Sequence, residues 1–182
     1  MTLLDEPRPA LLPRLHEALE VAAPQRLGVV SAVVGLDQLS KHWALNRLDS
    51  GPVDIVGSLR LNLTFNDGAA FSLGGGRTTW IALLALAVAS VIAVLGWRAT
   101  QVASSVGFGI ILGGALGNLV DRALRAGDGF LGGHVVDFVD LGWWPVFNVA
   151  DVSLWVGIAV LFVTSWRQPD DGASEPREAH AP

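Results

Sequence analysis

The sequence predicts an α-helical membrane protein: four transmembrane helices and a small extracytoplasmic β-sheet. Three observations carry this. Of 182 residues, 51% are hydrophobic and only 16% charged, whereas a soluble domain carries about 25% charged residues, and the mean hydropathy is +0.47. Four apolar segments each come close to the roughly 20 residues a helix needs to cross the hydrocarbon. Between the first two, one stretch alternates strictly between apolar and polar residues, the signature of a half-buried strand.

Taken in order, residues 1–24 read as a cytoplasmic tail. Asp5, Glu6, Glu17 and Glu20, with Pro7, Pro9 and Pro13, rule out the basic and apolar regions of a signal peptide. Residues 11–21 allow a short amphipathic helix. The first span, about 27–45, is interrupted by Asp37 and Lys41. The second, 78–96, is uncharged and bracketed by Trp80 and Trp97, roughly 26 Å apart at the helical rise and suited to the two headgroup layers. The third, 102–124, ends in Asn118, Asp121 and Arg122, with Gly113, Gly114 and Gly117 before them; small residues let helices approach closely in a bilayer. Trp143 and Trp144 precede the fourth span, 148–166, and Trp166 closes it. Trp43 and Trp155 fit this pattern less well and read as packing residues. The tail 167–182 is polar and Pro-containing, as disordered segments are.

The turn at 98–101 is short, so connections 47–77 and 125–147 share the opposite side. In the first of them, Leu59-Arg60-Leu61-Asn62-Leu63-Thr64-Phe65-Asn66 is the alternating stretch, followed by an Asp67-Gly68 turn and a Gly74-Gly75-Gly76 hinge. Arg8, Arg14, Arg26, Arg98, Arg167 and Arg177 on one side nearly balance Arg47, Arg60, Arg77, Arg122 and Arg125 on the other, so positive charge does not settle orientation.

The chemistry is bounded in the same way. The net charge of -5 does not suit nucleic acid. Without Cys there is no disulfide or thiol nucleophile, and the four His show no zinc-protease spacing. Ionisable residues in apolar runs are the signal that remains, and near hydrocarbon these mark function by default. Asp137 lies among Val135, Val136, Phe138 and Val139, where desolvation raises a carboxyl pKa. Asp151 follows Asn148 at capping-box spacing, at a helix N-terminus that favours negative charge. Two carboxylates in unequal settings suit an acid and a base. Asp37 and Lys41 share a helix face and read as an internal ion pair. Asn118, Asp121 and Arg122 share another, as a packing seam closed by an Asp–Arg pair or as polar support for the two aspartates.

Five motifs then carry a resemblance. Asp37-Gln38-Leu39-Ser40-Lys41, Asn66-Asp67-Gly68-Ala69-Ala70-Phe71-Ser72, Gly117-Asn118-Leu119-Val120-Asp121-Arg122, Val135-Val136-Asp137-Phe138 and Phe147-Asn148-Val149-Ala150-Asp151 together resemble, in order, bacterial lipoprotein signal peptidase (signal peptidase II). The resemblance covers about residues 30–165. It implies a multi-pass inner-membrane aspartyl endopeptidase with both termini cytoplasmic and the site near the extracytoplasmic surface. The implied fold has a β-cradle and a short helix in an extracytoplasmic loop. It implies that Asp137 and Asp151 are the catalytic pair. Asp37, Lys41, Asn66, Asn118, Asp121, Arg122, Asn148 and Ala150 would support them or bind substrate. The substrate would be a prolipoprotein cut before its diacylglyceryl-modified cysteine, with membrane lipids as partners and globomycin-type cyclic peptides as inhibitors. No cofactor or metal is implied, and a monomer is expected.

Two other readings compete. A proton-coupled transporter would use Asp, Lys and Arg as a relay, but it wants internal repeats and a polar path through the bilayer, and neither is present in the sequence. A membrane scaffold whose charges merely pair leaves Asp137 and Asp151 without a role.

Overall fold

The computed structural model describes residues 11–67, 78–127 and 129–166. Four helices and three strands follow one another: α1 (Leu11–Arg47), β1 (Val53–Val56), β2 (Leu59–Asn66), α2 (Thr78–Arg98), α3 (Val102–Leu124), β3 (Val135–Asp140) and α4 (Val149–Trp166). Three helical stretches, Thr79–Arg98, Val102–Leu124 and Val149–Trp166, are long and apolar enough to cross a membrane. α1, which carries Arg26, Asp37 and Lys41, is not among them.

α3 is the central helix and packs against α1, α2 and α4. Its glycines permit the close approach. A Cβ at Gly114 would lie 2.5 Å from the Ala150 carbonyl oxygen of α4, and one at Gly117 would lie 2.6 Å from Asp37 Oδ2 of α1. Apolar packing gains little in lipid, so close backbone contact is what holds such helices together. The outward faces of α2 and α4 remain apolar and exposed, as lipid-facing surfaces are.

The three strands form one antiparallel sheet in the order β1-β2-β3. β2 matches the alternating stretch residue for residue. Leu61, Leu63 and Val139 pack with Val149 against Ala44, Leu48 and Phe138, so the apolar side of the sheet is fastened to the last turns of α1 and the start of α4. Gly57, at φ 59°, supplies the positive φ needed by the two-residue turn between β1 and β2.

Several expectations change. α1 begins at Leu11, well before the expected span at 27, and runs unbroken through Pro24. The short helix that the sequence allows at residues 11–21 is continuous with the first apolar segment, joined through the helix-forming Ala22 and Ala23. β1 and β3 were not anticipated. The loop helix is absent among the described residues of both connections, where strands and turns stand instead. Trp155 is 67% exposed and so faces outward rather than packing, whereas Trp43 meets Phe138 edge-on at 6.4 Å. The Gly68 turn position, the glycine hinge and tail 167–182 lie outside the described residues.

Replacing Gly114 by Val is expected to destabilise the bundle by about 1–3 kcal/mol, the usual penalty of overpacking, read as a lower Tm in detergent. Gly35→Ala, where an added Cβ meets nothing within 4 Å, is expected to be neutral or to stabilise by up to about 1 kcal/mol.

Candidate functional site

The site forms where the C-terminal parts of α1 and α3 meet the N-terminus of α4, beneath β2 and β3. Its base is Lys41. The ammonium is fully buried and has three hydrogens to donate. It reaches Asp37 Oδ2 at 2.9 Å, Asp121 Oδ2 at 3.0 Å and Asn118 Oδ1 at 2.9 Å. Every donor is thus used. Asp37 and Lys41 form the internal pair expected from their spacing.

Both carboxylates around Lys41 also grip backbone. Asp37 Oδ1 accepts from the Ala150 N–H at 2.9 Å, which ties α1 to the first turn of α4. Asp121 Oδ2 accepts from the Val136 N–H at 3.0 Å, which ties α3 to β3. Gln38 donates to Asp37 Oδ2, Asp121 Oδ1 and the Gly117 carbonyl. Arg125 Nε donates to Asp121 Oδ1 at 2.8 Å. Buried charge is tolerated only when paired and fully hydrogen-bonded, and this cluster meets that condition.

Two asparagines carry the order of this base up to Asp137 and Asp151. Because Asn118 Oδ1 faces the ammonium, its amide nitrogen faces away and donates to Asp151 Oδ1 at 2.9 Å. Asn148 and Asp151 form a reciprocal cap. The Asp151 N–H donates to Asn148 Oδ1 at 3.0 Å, and the Asn148 N–H donates to Asp151 Oδ2 at 3.1 Å. With its oxygen taken, the Asn148 amide nitrogen donates to Asn118 Oδ1 at 3.1 Å and to Asp137 Oδ1 at 2.6 Å. Asn66, on the neighbouring strand, donates to Asp137 Oδ2 at 3.0 Å. Asp137 and Asp151 therefore share one partner, Asn148, and each has both oxygens hydrogen-bonded.

The electrostatics of Asp137 follow. Burial pushes its carboxyl up to about 6, helped by the nearby charge of Asp151 and opposed by the amide bonds from Asn66 and Asn148. A carboxyl at that value holds or releases a proton near neutrality. Paired with a second carboxylate, it can serve one step of acid–base chemistry as donor and the next as acceptor.

One grouping differs from its expectation. Asp121 pairs with Lys41 and Arg125, not with Arg122. Arg122 is buried without an ion pair to Asp121; its Nη1 donates to the Gly133 carbonyl oxygen at 3.4 Å, with Asp137, Asp67 and Asp121 all within electrostatic reach. Ala150 contributes its backbone N–H rather than its side chain. Gln38 and Arg125 were missed as contributors. A polar residue beside Asp37 in an apolar helix, and a cation four residues after Asp121, were the available signals.

Comparisons with known proteins agree with one another. Residues 29–167 match the family model described as Signal peptidase (SPase) II. The lipoprotein signal peptidase of Mycobacterium leprae (strain Br4923) is 44% identical over 162 residues, covering 86% of this chain and 80% of that protein. That of Mycobacterium avium (strain 104) is 49% identical over 139 residues, 75% of each. A solved bacterial membrane enzyme at 24% identity superimposes with a TM-score of 0.66, over 79% of this chain and 94% of its own, and shares the fold.

Lys41→Met leaves Asp37 and Asp121 buried without their common cation. It is expected to destabilise the protein by about 3–5 kcal/mol, measured by thermal unfolding in detergent. Adding Asp37→Asn and Asp121→Asn to it should recover part of that loss.

Proposed function

The chain belongs to the signal peptidase II family of bacterial membrane proteases, and from that premise we propose that it removes the signal peptide from diacylglyceryl-modified prolipoproteins, before the modified cysteine, by two-aspartate catalysis. The observation that carries the mechanism is the shared Asn148 contact. It holds Asp137, with its carboxyl raised toward neutrality, beside Asp151 at a helix N-terminus.

In this mechanism Asp151 is the base and Asp137 the acid. Asp151 takes a proton from water as its oxygen attacks the scissile carbonyl carbon. Asp137 gives its proton to the carbonyl oxygen, producing a neutral tetrahedral intermediate. On collapse the C–N bond breaks, the leaving amine takes the proton held by Asp151, and the hydroxyl proton returns to Asp137. Both carboxyls end as they began. Asn118, Asn148 and Asn66 hold the carboxyl planes, so little reorientation is needed during reaction. The lipid on the cysteine would keep the scissile bond at the depth of the pair, and fixed positioning of this sort lowers the barrier substantially. Globomycin-type cyclic peptides would compete for the same position.

On this reading α1 is a fourth membrane span, both termini are cytoplasmic and the sheet is extracytoplasmic. The fastening of the sheet to the α1–α4 end of the bundle supports it. The transporter reading is weaker, since the charged network described here is confined to that end.

Asp137→Asn and Asp151→Asn are each expected to lower cleavage of a lipobox substrate by about 10²–10⁴-fold while the protein still inserts. Normal processing by either variant refutes the mechanism. The protonated acid must be Asp137, so kcat/KM is expected to fall as pH rises through about 6. Asn66→Ala removes a donor that stabilises the ionised form. It should move that limb to higher pH by roughly half to one pH unit, measured in a pH–rate profile.

A further inference from the structure

One buried charge lies far from the two aspartates and has no countercharge on the chain. Arg26, only 6% exposed, precedes Asp37 on α1 by 11 residues, roughly 16 Å along the axis. Its partner on α3, Ser105, precedes Asn118 by 13 residues, roughly 20 Å. Both helices thus put Arg26 at the end of the bundle away from the site. Its Nε donates to the Ser105 hydroxyl at 3.0 Å, and its guanidinium lies 5.7 Å from the centre of the Trp97 ring. A guanidinium has five N–H hydrogens to donate. Among the described residues only Nε is engaged; Nη2 is buried with no hydrogen-bond partner, and Arg26 forms no salt bridge.

The sequence shows why. One turn to either side of Arg26 along α1 stand Ala22, Ala23, Val29 and Val30, and the facing stretch 96–109 holds Arg98 and no acid. Gly96 leaves room for the arginine stem, since a Cβ there would lie 3.8 Å from Arg26 Cδ and 2.9 Å from Phe108 Cβ. A buried charge is costly unless it is paired. This junction of α1, α2 and α3 therefore favours an anion from outside the chain.

Its depth says which anion. Trp97 closes α2 and is 62% exposed, and tryptophan at the end of a span sits at the headgroup layer. The guanidinium beneath its ring lies at the same level, where phospholipids carry their phosphates. A phosphate offers paired oxygens that match the guanidinium fork. Phe108 also lines an open groove of about 340 Å³ with Leu95, Arg98 and Ser104, an apolar wall with a second cation at its rim. We propose that this junction binds the phosphate of an anionic phospholipid, held by Arg26 once the exposed Trp97 ring turns aside, with Arg98 adding charge. On the topology given above, this is the cytoplasmic leaflet, which carries such lipids. The binding depends on no peptidase activity.

The test follows the Tm of the full-length protein in an uncharged detergent, with added phosphatidylglycerol, phosphatidylcholine, diacylglycerol or inorganic phosphate. Phosphatidylglycerol is expected to raise Tm by about 5–10 °C at about a hundred times its Kd. Phosphatidylcholine should raise it less, and the other two not at all. Arg26→Gln should abolish the rise, whereas Arg98→Gln should keep most of it. Arg26→Lys keeps the charge without the fork and should keep about half of the rise; it replaces Arg26→Gln if that variant does not fold. No rise with phosphatidylglycerol, or an equal rise with diacylglycerol, overturns the proposal without any variant. An equal rise with inorganic phosphate overturns it in favour of a free-anion site. A full rise in Arg26→Gln overturns it, because Arg26 then only packs against Ser105 and Trp97. Equal losses in Arg26→Gln and Arg98→Gln overturn it as diffuse surface charge, and so does a folded Arg26→Lys variant with no rise.

Discussion

A lysine ammonium buried among two carboxylates and an amide is the interaction on which the rest of this structure depends. Lys41 uses all three of its hydrogens inside the protein, so its position is fixed by partners on two helices. Those partners reach further. Asp37 holds the first turn of α4 through Ala150, and Asp121 holds β3 through Val136. One cation therefore sets α1, α3, α4 and the sheet relative to one another. In an apolar setting such a cluster stands only when every group is satisfied, and this makes the arrangement close to all-or-none.

The same cluster imposes directionality on the site. An asparagine amide has one acceptor and two donor hydrogens. The ammonium commits the Asn118 oxygen and so turns its nitrogen toward Asp151. The cap at the start of α4 commits the Asn148 oxygen and turns its nitrogen toward Asp137. The helix cap thus also holds both carboxylates. Asp151 sits at the start of a helix, whereas Asp137 sits on a buried strand, where burial pushes its carboxyl up to about 6.

The sheet adds what helices alone lack. Its apolar residues close over the end of α1, Asn66 reaches Asp137, and Arg60 pairs with Asp140 at the exposed edge. Asp140 accepts from Arg60 and Asn62 of β2 and from the Gly142 N–H. The fold thus combines a rigid charged base in the helices with a small sheet fastened above it.

Local pattern alone determined much of this. The three apolar spans, strand β2, the Asn148–Asp151 cap and the Asp37–Lys41 pair follow from short-range spacing, because helical and strand periodicities and capping geometry act over a few residues. The five motifs also contain most of the residues that the structure draws into one hydrogen-bonded network. Other features escaped. β3 is a short buried segment, apolar but for Asp137 and Asp140, that periodicity cannot tell from a helix segment, although Gly57-Ser58 between two short apolar runs was a usable signal for the β1–β2 hairpin. That Asp121 chooses Lys41 and Arg125 over Arg122, that Ala150 serves through its N–H, and that Asn148 joins Asp137 to Asp151 were decided only by tertiary structure. Each depends on which helix faces which, and at what height. Those relations are set by glycine-mediated close packing and a shared buried cation, between residues far apart in the chain.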